Sequence, residues 1–240
     1  MPLPKVSIPS YDLTLPSNNK KIKYRPFIVG EEKNLLLAME SEDINEIRNA
    51  VVSVLSNCVL TKGIDIEELP TFDIEYIFLN VRAKSIGESI DIIVTCGDDG
   101  ETEVPLTIYI DEIKVKKVKG HTNQIKLSDD MTITMKYPSF DRFIIDNFDK
   151  NDQEDVLNLS LKIIASCIDI ITQGDECWAA SDYTESDLLE FLSGLTSPQY
   201  KQIDKFFSTM PKLMYETEVV NPNTEKKNKI VLEGLSDFFA

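Results

Sequence analysis

Beside its 41 carboxylates in 240 residues, the chain has one histidine and four cysteines from which chemistry could be built. Any His-centred acid/base or triad arrangement has only His121 to draw on, and its setting, KGHTN, reads as a surface loop. A single imidazole also excludes HExxH and two-histidine zinc sites. Cys96 opens a hairpin tip, CGDD, where a zinc ribbon would carry the first cysteine of a Cys-x-x-Cys. Position 99 is Asp, however, and no second pair follows at ribbon spacing. Cys58, Cys96, Cys167 and Cys177 lie far apart, two of them within helix-like apolar patterns, and read as buried free thiols in a reducing compartment. Asp98 and Asp99, like Asp129 and Asp130, read as polar turn residues, and no spacing singles out a hydrolytic carboxylate pair. DKNDQED, from Asp149, places Glu154 where an EF-hand needs glycine and Ser160 where its bidentate Glu belongs. No glycine pattern makes a Walker A loop, a dinucleotide fingerprint or a GxSxG elbow. No catalytic, cofactor-binding or metal-binding residue is assigned, and the expectation is a protein that is not an enzyme and takes no small-molecule substrate.

Charge narrows the partners. A formal net charge of −16 repels phosphate backbones, which argues against nucleic acid. The basic clusters Lys20, Lys21, Lys23, Arg25 and Lys114, Lys116, Lys117, Lys119 lack interleaved aromatics and read as solvated faces or protein contacts. With 42% hydrophobic residues the chain can bury a core as one large domain or two small ones. No run approaches the roughly 20 apolar residues of a membrane span. Pro2, Pro4, Pro9 and Pro16 interrupt the start before any signal-peptide core, so a soluble protein is expected.

The elements that must carry these residues are organised around Thr71 to Cys96. Ile74, Ile77, Phe78 and Val81 recur at helical spacing, and Ile90, Ile92 and Val94 then alternate as in a strand, with Gly87 as the helix terminator between them. Residues 1–30 read as an extended N-terminal arm. Two helices follow, Glu31 to Glu40 and, capped by Ser41, Glu42 to about Leu60. Glu103 to Asp111, alternating through Val104, Leu106, Ile108 and Ile110, completes a first hairpin after the Gly97–Gly100 turn, and 125–127 with 131–137 a second, giving one small sheet of about four strands. Val156 to Ile171 carries two apolar stripes and reads as one helix buried on two sides. Helices opening at Thr184 and Ser197 come next, then a hairpin of 215–220 with 229–232 and a short apolar tail. The fold class expected is α+β, helices flanking a small antiparallel sheet of β-hairpins. The divisions are 1–30, 31–138, 139–213 (helical) and 214–240 (C-terminal hairpin and tail).

Several phrases, in this order along most of the chain, carry a resemblance: NKKIKYRPFIVGEEKNLLLAME, TFDIEYIFLNVRAKSIGESIDI, MTITMKYPS, FFSTMPKL and LEGLSDFF. Together they are similar to the T4-type bacteriophage baseplate protein family, whose members serve assembly of the central baseplate hub in contractile tails. The resemblance implies a non-enzymatic protein made in the host bacterial cytoplasm, either retained in the virion tail baseplate or acting as an assembly chaperone. Its implied partners are other baseplate hub proteins or the tape-measure protein. Candidate partner-binding residues are Leu235, Phe238 and Phe239 of the tail and Phe206, Phe207 and Leu213 before it, with packing on the chain's own core as the competing reading.

Overall fold

The computed structural model describes residues 6–141, 143–144 and 156–238. The expected helix-into-strand switch forms its centre. Helix α3 (Thr71–Ser85) is buried on nearly every side, through Phe72, Ile74, Ile77, Leu79 and Val81 among others. Asp73 in its first turn and Arg82 and Lys84 in its last oppose the helix dipole favourably. Gly87 does not end it in a left-handed turn; Ile86, still right-handed, bonds back to the Arg82 carbonyl.

Helices α1 (Val29–Ser41) and α2 (Ile44–Cys58) pack together and onto this core. Asp43, rather than Ser41, caps α2, accepting the N–H of Asn45 at 2.8 Å and of Glu46 at 3.3 Å. Ser41 is still part of α1 and donates its hydroxyl to the Ala38 carbonyl. Helix α2 buries Ile47, Val51, Val54, Leu55 and Cys58, the face its periodicity defines. Burial pushes the Cys58 thiol up to about 12, which leaves it inert.

The N-terminal arm folds as a hairpin, β1 (Tyr11–Thr14) with β2 (Lys21–Tyr24). Alternation sends Leu13, Ile22 and Tyr24 inward, so the arm lies on its own core. Below it Arg25 grips Glu31 with two hydrogen bonds, at 2.7 and 2.8 Å, and holds that carboxyl below the usual carboxylate range.

The first hairpin, β3 (Ser89–Thr95) with β4 (Glu103–Tyr109), pairs Ile90 with Ile108 and Val94 with Val104. It forms a two-stranded sheet of its own. The second hairpin, β6 (Gln124–Lys126) with β7 (Met131–Met135), does not join it. It continues instead into β8 (Ile168–Gln173) and β9 (Glu176–Ala179) as a four-stranded antiparallel sheet. The remaining sheet takes β5 (Lys114–Lys116) beside the C-terminal hairpin of β10 (Lys212–Val220) and β11 (Lys227–Glu233).

Strand β8 corrects the expectation of one helix from 156 to 171. Helix α4 (Val156–Ser166) stops where Ile168, Ile170 and Ile171 bring β-branched side chains into pairing with β7. Helices α5 (Glu185–Ser193) and α6 (Ser197–Thr209) open on threonine caps: Thr184 and Asp187 form a reciprocal capping box, while Thr196 donates both its N–H and its hydroxyl to the Gln199 side-chain oxygen. The cap of α6 is therefore Thr196, one residue before the expected Ser197. The EF-hand-like stretch from Asp149 lies outside the described residues.

Two main cores result. One gathers α1 to α3, the first two hairpins β1–β2 and β3–β4, Phe140, Phe143, Leu213, Leu235 and Phe238. The other gathers β6 to β9 with α4, α5 and α6.

Candidate interaction surface

His121 is half-buried rather than a free surface residue. It closes a triangle of rings with Tyr137 and Phe206, whose centroids lie 5.7 and 5.1 Å from its own and 5.5 Å from each other. The Thr209 hydroxyl donates to the Lys205 carbonyl at 2.6 Å, so it accepts the His121 Nδ1 proton at 3.0 Å. Nε2 is then the acceptor for the Tyr137 hydroxyl, also at 3.0 Å. The imidazole thus ties the loop before β6 to the end of α6. Burial lowers its pKa, so the folded state favours the neutral ring. This contribution to stability is complete above the unfolded imidazole value of about 6.5 and is lost as the pH falls below it. Thermal unfolding followed from pH 7.5 to about 5 will show that loss in the wild type, and His121→Gln will flatten it.

The thiols divide. Cys58, Cys96 and Cys167 are buried, whereas Cys177, on edge strand β9, is exposed and departs from the expected pattern. Among the described residues, no three His, Cys, Asp or Glu side chains are grouped to hold a metal. Likewise, among the described residues no helix is long and apolar enough to cross a membrane.

Of the six residues singled out for partner contact, four are packed inside the chain: Leu213, Leu235 and Phe238 in the first core and Phe206 in the second. Phe207 is half-buried, edge-on to Phe206 at 5.1 Å. Phe239 lies outside the described residues. Phe207 also lines a cleft of about 510 Å³ between the two cores, with Phe72, Ile163, Tyr200, Pro211 and Gly234. On its wall Glu75 accepts the Leu235 N–H at 3.2 Å, which places this carboxylate in the docking of the tail.

Among the described residues, the largest group of exposed apolar side chains on one element is on α1. Leu35 and Ala38 face the core, while Leu36, Leu37 and Met39 are 54%, 52% and 45% exposed, and Val29 is 81% exposed. Val29, Leu36 and Leu37 are seven and eight positions apart, so they share one stripe of the helix. A helix apolar on its outer side as well as its inner side is built to be covered twice. Exposed Glu40, Glu42, Asp43 and Glu46 rim its C-terminal end. Sequence reasoning missed this face. The available signal was the unbroken run Leu35 to Met39, LLLAM, since five consecutive apolar residues exceed what one face of a helix can bury.

The fold is α+β, and one of its helices turns an apolar face to solvent. The T4 bacteriophage base plate protein family model matches residues 8–240, nearly the whole chain, and the protein belongs to that family. No curated protein and no solved structure matches it. It is a phage baseplate protein, and its interactions are with other baseplate proteins.

Proposed function

We propose that this baseplate protein acts without catalysis, through protein contacts needed to assemble the central baseplate hub, and that the outer face of α1 is the contact. The observation that carries the reading is the stripe of Val29, Leu36 and Leu37, with Met39 beside it, on a chain whose family works in an assembly. Its acidic rim and the net charge of −16 fit a hub partner that offers an apolar ridge flanked by Lys or Arg. Such a rim speeds encounter, while the apolar centre sets how long the complex lasts.

The test is quantitative mass spectrometry of purified particles beside a pull-down of the tagged protein from infected cells. A fixed ratio to hub proteins in the particle supports a structural subunit. Absence from the particle, with the tape-measure protein recovered, supports an assembly chaperone that leaves. Recovery of neither hub nor tape-measure proteins would sink the reading, as would clearing of peptidoglycan by the purified chain. Leu36→Glu with Leu37→Glu is expected to reduce recovery of the partner at least about tenfold, a loss of about 1.4 kcal/mol. Because both side chains are half-exposed, the unfolding midpoint should barely move.

A further inference from the structure

Two hairpin tips make the same five-residue turn: Cys96 to Gly100 after β3 and Asn221 to Glu225 after β10. In each, the first residue's carbonyl accepts the N–H of the fifth at 2.9 Å, Gly100 to Cys96 and Glu225 to Asn221. The first residue's own N–H crosses to the returning chain, Cys96 to Thr102 at 2.8 Å and Asn221 to Lys226 at 2.9 Å, the return being one residue longer at the first tip. The fifth residue is left-handed in both, with φ of 71° at Gly100 and 60° at Glu225. A zinc ribbon sets its four ligands at the first and fourth positions of two such tips. The turn alone is not diagnostic, because Leu15 to Asn19 has the same Asn19 to Leu15 bond, the same crossing of the Leu15 N–H to Lys20 at 2.9 Å and a φ of 59° at Asn19.

What distinguishes the other two tips is that they face each other and lock. The Asn221 amide donates to Asp98 at 2.9 Å and to Asp99 at 2.8 Å, and the Thr224 hydroxyl donates to Asp98 at 2.5 Å. Asn228 beneath them donates to Asp98 and accepts the Asp98 N–H, both at 2.9 Å. The Asn221 side-chain oxygen accepts the N–H of Asn223 at 2.8 Å and of Thr224 at 3.3 Å. These are the donors a ribbon tip would aim at a ligand sulfur. Cys96 is fully buried in one small cluster with Val94, Val219 and Ile230, the last two from the opposite hairpin.

We infer that the paired tips are a zinc-ribbon scaffold that closes without metal. Positions 96, 99, 221 and 224 are its ligand positions, and Asp99, Asn221 and Thr224 stand at three of them. A neutral amide and a hydroxyl are poor zinc ligands, and here hydrogen bonds among the side chains do the ion's work of clamping β3–β4 to β10–β11. The second half of the scaffold escaped the sequence reading because Asn221 lies 122 positions beyond Asp99.

The test restores the ligands. The full chain carrying Asp99→Cys, Asn221→Cys and Thr224→Cys, with native Cys96, is refolded under reducing conditions with Zn²⁺ or Co²⁺. One equivalent of Co²⁺ with the intense visible bands and thiolate charge transfer of a tetrahedral all-sulfur site is expected. Zn²⁺ should raise the unfolding midpoint of this variant, and adding Cys96→Ser should remove one thiolate's share of the charge-transfer band. The wild-type midpoint is expected to ignore both Zn²⁺ and chelator, and Asn221→Ala alone to lower it. A triple variant that folds but leaves Co²⁺ unbound or octahedral would overturn the inference. So would failure of that variant to fold even with Zn²⁺ present, or stoichiometric zinc in the purified wild type.

Discussion

Replacing Phe238 with Ala will lower the stability of the whole protein by about 3–5 kcal/mol, the usual cost of removing a buried phenylalanine. Phe238 is completely buried, beside Leu235 at 2% and Leu213 at 0% exposure. The tail reaches that site along a defined path. Gly234, at a φ of 73°, turns the chain after β11, and its N–H bonds to the Leu213 carbonyl at 2.9 Å. The Leu235 N–H then bonds to Glu75 of α3, and the Phe238 N–H to the Leu235 carbonyl at 3.1 Å. The last hook of the sequence therefore closes the core around the central helix. For a chain of this size such a loss corresponds to a fall of roughly 10 °C in the thermal midpoint. Deleting residues 234–240 should go further and abolish the cooperative transition. A Phe238→Ala variant with a wild-type midpoint and defective partner capture would return the tail to the role of docking element.

Asp73→Ala is expected to cost about 2–3 kcal/mol by stripping both donors of Ser17 of their partner. Asp73 is fully buried in the first turn of α3 and accepts the Ser17 N–H at 3.0 Å and the Ser17 hydroxyl at 2.5 Å. These bonds pin the tip of the N-terminal hairpin to the central helix, so its loss should show as faster proteolysis between Ser17 and Lys21. Burial raises the Asp73 pKa above the ordinary carboxylate range, with the Ser17 bonds and the field of Lys117 opposing it. The sign follows from proton binding. The folded state holds the Asp73 proton more readily than the unfolded one, so this group favours folding most at low pH. Stability is lost as the pH rises from the unfolded value of about 3.9 through the raised folded one. Asp73→Asn keeps an oxygen for the Ser17 N–H and offers its amide to the Ser17 hydroxyl, with no charge to bury. Urea unfolding should find it at least as stable as wild type at pH 7 and without this pH dependence. Destabilisation equal to that of Asp73→Ala would show that the charge itself is needed.

What could be read in the sequence was local. The Thr71 to Thr95 switch, the face of α2, the Gly97–Gly100 tip and the C-terminal hairpin follow from periodicity and turn residues, and each stands in the structure. Ile168 went wrong for an instructive reason. It falls four residues after Ile164 and so continues a helical stripe, while its pairing partner, Met135, is a distant strand that no local pattern announces. Partner choice among hairpins failed in the same way, since β6–β7 finds β8 rather than β3–β4. His121 looked like a surface residue because its two hydrogen-bond partners, Tyr137 just after β7 and Thr209 at the end of α6, lie 16 and 88 positions further on. The outer face of α1 was visible as an unbroken apolar run, and reading only its acidic first turn passed over it.

The most direct test of the contact account uses cells infected with phage lacking this protein and supplied with either the wild-type chain or the Leu36→Glu, Leu37→Glu variant. Baseplates are then counted by electron microscopy, after circular dichroism and the unfolding midpoint have shown the two proteins to be equally folded. The account predicts that the wild type restores complete baseplates and the variant leaves them unassembled. Equal restoration by both would contradict it, because the exposed face of α1 would then have no part in building the hub.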